Sequence, residues 1–135
     1  MAKTAEGIQK PALSSQDLAG PALRTFFRIA AAWGLSEAEQ MRLLGLESRS
    51  TLQTWKRGAV KHIGRDALER ISYVIGIYGA LQILLPNDSA ADAWVRKANN
   101  APLFGGRSAV DRMASGNVAD LFVVRQYLDA QRGWS

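Results

Sequence analysis

Ser36-Glu37-Ala38-Glu39-Gln40-Met41-Arg42-Leu43-Leu44-Gly45-Leu46-Glu47-Ser48-Arg49-Ser50-Thr51-Leu52-Gln53-Thr54-Trp55-Lys56-Arg57-Gly58 carries most of the architectural information in this chain. Ser36 with Glu39 three residues on is a capping box, each side chain satisfying the other's free backbone donor. It predicts a short helix from Glu37 to Leu44 with Met41 and Leu44 inward, stopped by Gly45. Ser48 then caps a second helix from about Arg49 to Arg57, stopped by Gly58. Leu52 and Trp55 share one face and are assigned to the core. Two short capped helices about a glycine turn, the second rich in basic and small polar residues, form a helix-turn-helix signature. A small three-helix bundle with a decorated surface is the competing reading.

On the amino-terminal side, residues 1–20 lack periodicity and predict a flexible arm, with Pro21 at the first position of a helix. Leu23, Phe26, Phe27, Ala30 and Trp33 follow at helical spacing, and Gly34 ends that segment. On the other side, a linker over 59–64 leads to a long helix from Arg65 or Asp66 to Leu85, ended by Pro86. It is apolar on several faces, so both halves of the chain, or a second subunit, must cover it. Val74, Ile77, Tyr78 and Leu81 are the candidate dimerisation residues, with Gly76 and Gly79 permitting a close helix approach.

The last third reads as a helix from Asp88 or Ser89 to about Lys97, then a loop through Gly106. A short helix capped by Ser108, with Asp111 as box partner, runs through Ala114, and a final helix spans Val118 to Arg132. No alternating β run occurs, so the fold is expected to be all-α, an N-terminal helix-turn-helix packed through a long central helix on a C-terminal helical domain. The expected divisions are 1–20 (arm), 21–64 (helix-turn-helix), 65–86 (central helix) and 87–135 (C-terminal domain).

Composition narrows the chemistry. With 135 residues and 47% apolar content the chain can bury a core. It has no cysteine and a single histidine, His62, which removes thiolate metal sites and most histidine-based catalysis. The formal charge is +5, and the segment from Arg42 to Arg65, with six basic residues and one acid, carries all of it. Localised positive charge is the footprint of a phosphate-contacting surface. On the second short helix, Arg49, Ser50, Gln53 and Thr54 are placed to meet base edges in a major groove, while Lys56, Arg57 and Lys61 would meet phosphates.

Other constellations are weak. Asp88 and Asp92 share a helix face and read as solvated. A triad would have to use His62, in a basic linker, and neither GxGxxG nor GxxxxGK[ST] occurs. The chain is expected to have no catalytic residues, no metal and no cofactor. No signal or membrane segment is visible, and a cytoplasmic location is expected.

Leu43-Leu44-Gly45-Leu46 followed by Ser48 to Gly58 resembles the Xre-type helix-turn-helix, a homeodomain-like fold, of small bacterial antitoxins. Ala93-Trp94-Val95, then Leu103-Phe104-Gly105-Gly106-Arg107-Ser108, Gly116 and Val118 to Leu128 are similar to the Xre/MbcA/ParS toxin-binding domain, with ParS-like members nearest. Together these stretches span about residues 24 to 132. The resemblance implies an antitoxin that blocks a RES-domain, NAD-consuming or ADP-ribosylating toxin, forms a homodimer and represses its own operon at an operator DNA. The family's loop has Pro-Asn before the Leu-Gly element and Ser-Pro after it, where this chain has Asn100-Ala101-Pro102 and Ser108-Ala109. Arg96, Asn99, Asn100, Leu103, Phe104 and Arg107 in and beside the loop, with Arg132 and Trp134 in the tail, are the candidate toxin contacts. Large apolar side chains beside arginines suit interface anchors. The alternative is a stand-alone helix-turn-helix regulator whose C-terminal domain dimerises or senses a ligand.

Overall fold

A computed structural model of the chain describes residues 15–60 and 62–133, and among them there are seven helices and no strand. They are α1 (Ser15–Trp33), α2 (Glu37–Leu44), α3 (Arg49–Lys56), α4 (Arg65–Leu84), α5 (Asp88–Trp94), α6 (Ala109–Met113) and α7 (Val118–Gln131). The chain is all-α, with the helix-turn-helix of α1–α3 joined through the long α4 to a helical C-terminal part.

Local chemistry accounts for most boundaries. The Ser36 Oγ accepts from the Glu39 amide at 3.1 Å, and the Glu39 carboxylate accepts from the Ser36 amide at 2.9 Å. Gly45 closes α2 in the left-handed conformation at φ 74°. A Cβ there would also lie 2.8 Å from the Arg70 guanidinium, so both backbone and space require glycine. Ser48 caps α3 by accepting from Thr51, and Ser108 with Asp111 forms a second capping box at α6.

One boundary differs from expectation. Pro21 lies inside α1, not at its first position, and residues 15–20 are helical. The reason is burial: the apolar stripe of Leu23, Phe26, Ile29, Ala30 and Trp33 extends back to Ala19, which is 1% exposed. Packing of that stripe outweighs the hydrogen bond that proline cannot donate. The rest of the expected arm, residues 1–14, lies outside the described residues.

A single core runs from Ala19 to Leu128, with α4 at its centre. α7 and α1 pack on α4 most extensively, and α5 and α2 complete its cover. Val74, Ile77 and Leu81 are fully buried there, and half-buried Tyr78 tilts against Trp33 with ring centroids 6.3 Å apart. This corrects the dimerisation assignment of Val74, Ile77 and Leu81. The chain's own helices cover these three side chains, each burial contributing about 1.5–3 kcal/mol, so they do not face a second copy, whereas Tyr78 keeps part of its surface open. Gly76 admits the Arg125 guanidinium of α7 where a Cβ would stand, whereas nothing approaches Gly79.

Two arginines tie the halves together. Buried Arg70 donates to Asp66 at 2.8 Å, to the Arg42 carbonyl at 3.2 Å and to the Gly116 carbonyl at 3.0 Å. Arg96 donates to the Trp33 carbonyl at 3.0 Å and the Gly34 carbonyl at 2.6 Å, closing the C-terminus of α1. It also pairs with Glu39 at 2.6 Å.

Candidate functional site

The first candidate surface is α3. Leu52 is fully buried and half-buried Trp55 packs against the core, which turns the polar side of the helix outward. Arg49, Ser50, Lys56 and Arg57 are exposed, while Gln53 and Thr54 are half-buried. The cap at Ser48 fixes the start of the helix, and the Ser50 hydroxyl lies 2.8 Å from that of Ser48. Arg57 donates to the Thr54 hydroxyl at 3.5 Å. Lys61 lies outside the described residues.

Glu37, which the sequence reading passed over, sits against this face. Its carboxylate accepts from the Gln53 side-chain amide at 2.7 Å. It stands 3.2 Å from the Arg49 guanidinium and 3.8 Å from the Lys56 ammonium. A groove of about 610 Å³ opens between α1 and the end of α3, floored by Leu23, Phe27 and Trp55. Arg24, Arg28, Lys56 and Arg57 stand at it, and no carboxylate is among the described residues that line it. The basic surface of α3 thus continues onto α1.

The second candidate surface is the loop between α5 and α6. It is internally braced: the Asn99 amide donates to the Arg107 carbonyl at 3.0 Å and the Gly106 amide returns to the Asn99 carbonyl at 2.7 Å. The Asn99 side chain accepts from the Ala101 amide, and Gly105 and Gly106 both take positive φ. Asn100, Pro102 and Arg107 project outward, and Leu103 is half-buried. Beside the loop lies a hollow of about 410 Å³ lined by Leu103, Arg107, Asp111, Arg112 and Asp120 among others.

Phe104 does not project. It is 5% exposed and meets Trp94 and Tyr127 edge to face, with centroids 5.8 and 5.3 Å away. An aromatic box built by α5 and α7 encloses it, so its assignment as an exposed anchor is corrected. Arg96 is likewise occupied in clamping α1, and Asn99 in bracing the loop. Arg132 is drawn back beside Asp129, 3.6 Å away, with its side chain 16% exposed. The attraction of that carboxylate within the last turn explains why it does not extend as a tail. Trp134 lies outside the described residues.

Arg112 was missed in the sequence. It donates to the Leu103 carbonyl at 2.8 Å and to Asp120 at 2.8 Å, fixing the loop to α7. Burial pushes the Asp120 carboxyl up, but hydrogen bonds from the Ser115 hydroxyl and Arg112 outweigh it and hold the group below its ordinary value. At Glu39 the hydrogen bond from Arg96 is the largest influence and lowers the carboxyl against the opposing effect of burial. No group of three or more metal-ligating side chains occurs among the described residues, and no helix among them is long and apolar enough to cross a membrane.

Two family models match the chain. That of the antitoxin Xre-like helix-turn-helix domain covers residues 12–76, and that of the antitoxin Xre/MbcA/ParS C-terminal toxin-binding domain covers residues 80–133. The chain is also similar to the uncharacterized protein y4oB of Sinorhizobium fredii (strain NBRC 101917 / NGR234). The two are 44% identical over 129 residues, which is 95% of this chain and 98% of that protein. The two matched regions meet inside α4.

Proposed function

Because the chain belongs to the Xre/MbcA/ParS-type antitoxins, we propose that it neutralises a RES-domain toxin through the α5–α6 loop and represses its own operon through α3. It acts by occupying surfaces, without catalysis, in the cytoplasm. Asn100, Leu103 and Arg107 meet the toxin, while Phe104 and Asn99 hold the loop in shape for them and Arg96 ties the base of the loop to α1. A pre-braced loop loses little conformational entropy on binding, which favours affinity. On the DNA side Arg49, Ser50, Gln53 and Thr54 read bases, and Lys56, Arg57 and Lys61 neutralise phosphates along a strand that follows the groove toward Arg24 and Arg28. Operator binding by a homodimer would rest on a surface other than Val74, Ile77 and Leu81.

The observation that supports this reading best is the outward placing of Asn100 and Arg107, with Leu103 half-open between them, on a loop whose backbone is fixed by its own hydrogen bonds. Co-expression with the product of an adjacent RES-domain reading frame, followed by pull-down and a growth assay, tests it. Arg107→Glu is expected to abolish capture and growth rescue while leaving the melting temperature unchanged. Rescue by that variant equal to the wild type would remove the loop from the interface.

A further inference from the structure

Glu37 is the first residue of α2, and its carboxylate touches three of the side chains assigned above to DNA. One oxygen accepts the Gln53 amide at 2.7 Å and stands 3.8 Å from Lys56, while the other is 3.2 Å from Arg49. The Glu37 side chain is only 36% exposed, so its negative charge is partly shielded from water and acts on these neighbours directly. Arg49, at 74% exposed, can leave it without disturbing the core. Resting on the DNA-binding reading of α3, we propose that Glu37 is an internal competitor for nucleic acid, holding the base-reading and phosphate-contacting side chains until a matching site replaces it.

The physical argument has two parts. A duplex phosphate arriving at Lys56 or Arg49 finds each cation already partly neutralised and a like charge beside it, which lowers affinity for every sequence. The second part is selective. Gln53 gives up a 2.7 Å hydrogen bond to a charged acceptor when it turns to a base, and only a base edge offering a matching acceptor restores one. A duplex whose edges crowd Gln53 off Glu37 without offering an acceptor bears that loss uncompensated. Glu37 therefore weakens non-specific binding more than operator binding and widens the ratio between them, the quantity that decides occupancy among many competing sites.

Glu37→Gln removes the charge and retains an oxygen for Gln53. Binding is measured by fluorescence anisotropy with two short duplexes at several salt concentrations. One is taken from directly upstream of the chain's own reading frame, and the other is its shuffled counterpart. The variant is expected to bind the shuffled duplex about two- to fivefold more tightly, the upper figure being the most that one partly exposed charge pair contributes. Its gain on the upstream duplex should be smaller, and its salt slope about one unit steeper. Glu37→Ala, which leaves the Ser36–Glu39 box intact, provides a second reading with the same expected direction. Affinity equal to or below the wild type in both variants would overturn the competitor role while leaving DNA binding in place. Failure of wild type and variants alike to bind either duplex would overturn both.

Discussion

Phe104 is enclosed by Trp94 and Tyr127, so truncating it opens a cavity in the chain's own core. Phe104→Ala is expected to cost about 3–5 kcal/mol, read as a lower denaturant midpoint with an unchanged slope. An interface anchor would show loss of partner capture with undiminished stability instead. With Arg96 and Arg107 beside Leu103 and Phe104, the sequence reads Phe104 as an exposed interface anchor. The partners that enclose it are distant in sequence, and Tyr127 lies beside the apolar stripe of its helix, so no local pattern announced the box. Arg70 was equally hidden: an arginine between Glu69 and Ile71 reads as surface, yet it satisfies two backbone carbonyls and Asp66. Arg70→Met is expected to destabilise by about 1–3 kcal/mol, because two partly buried carbonyls lose their donor.

The elements themselves were largely legible, because each is announced by local chemistry. Ser36 with Glu39, Ser48 with Thr51 and Ser108 with Asp111 cap helices within a residue or two of where the spacing puts them. Ser36→Ala is expected to cost about 1 kcal/mol in thermal or chemical unfolding, and Ser36→Thr much less. At α3, joint replacement of Arg49 and Gln53 by alanine is expected to equalise affinity for upstream and shuffled duplexes. Lys56→Ala should weaken both and reduce the salt slope by about one unit in the same titration. The start of α1 was not legible, since a proline at position 21 outweighs, in local terms, what the burial of Ala19 supplies in three dimensions. Nor was the occupation of Arg49 and Gln53 by Glu37, which depends on the crossing of α2 and α3.

Across the whole molecule, the core has no seam between the helix-turn-helix and loop-bearing parts. The chain is therefore expected to unfold in one transition, with calorimetric and van't Hoff enthalpies equal. The Arg96–Glu39 contact joins the two parts and makes stability depend on pH. The Glu39 carboxyl is lowered from its ordinary 4.5 in the folded chain. Its stabilising contribution is thus present above that value and is lost as pH falls through the lower folded value. Arg96→Ala is expected to destabilise at neutral pH and to flatten the acid limb of a stability–pH curve; an identical limb would exclude the pair as its source. The two family regions meet between residues 76 and 80, where α4 runs unbroken and Ile77 is sealed on every side. Exchange of partner specificity among relatives by recombination is consequently constrained. A graft spliced at that junction inherits half a helix from each parent, and viable hybrids must keep α4 and the faces of α1 and α7 that enclose it from one lineage.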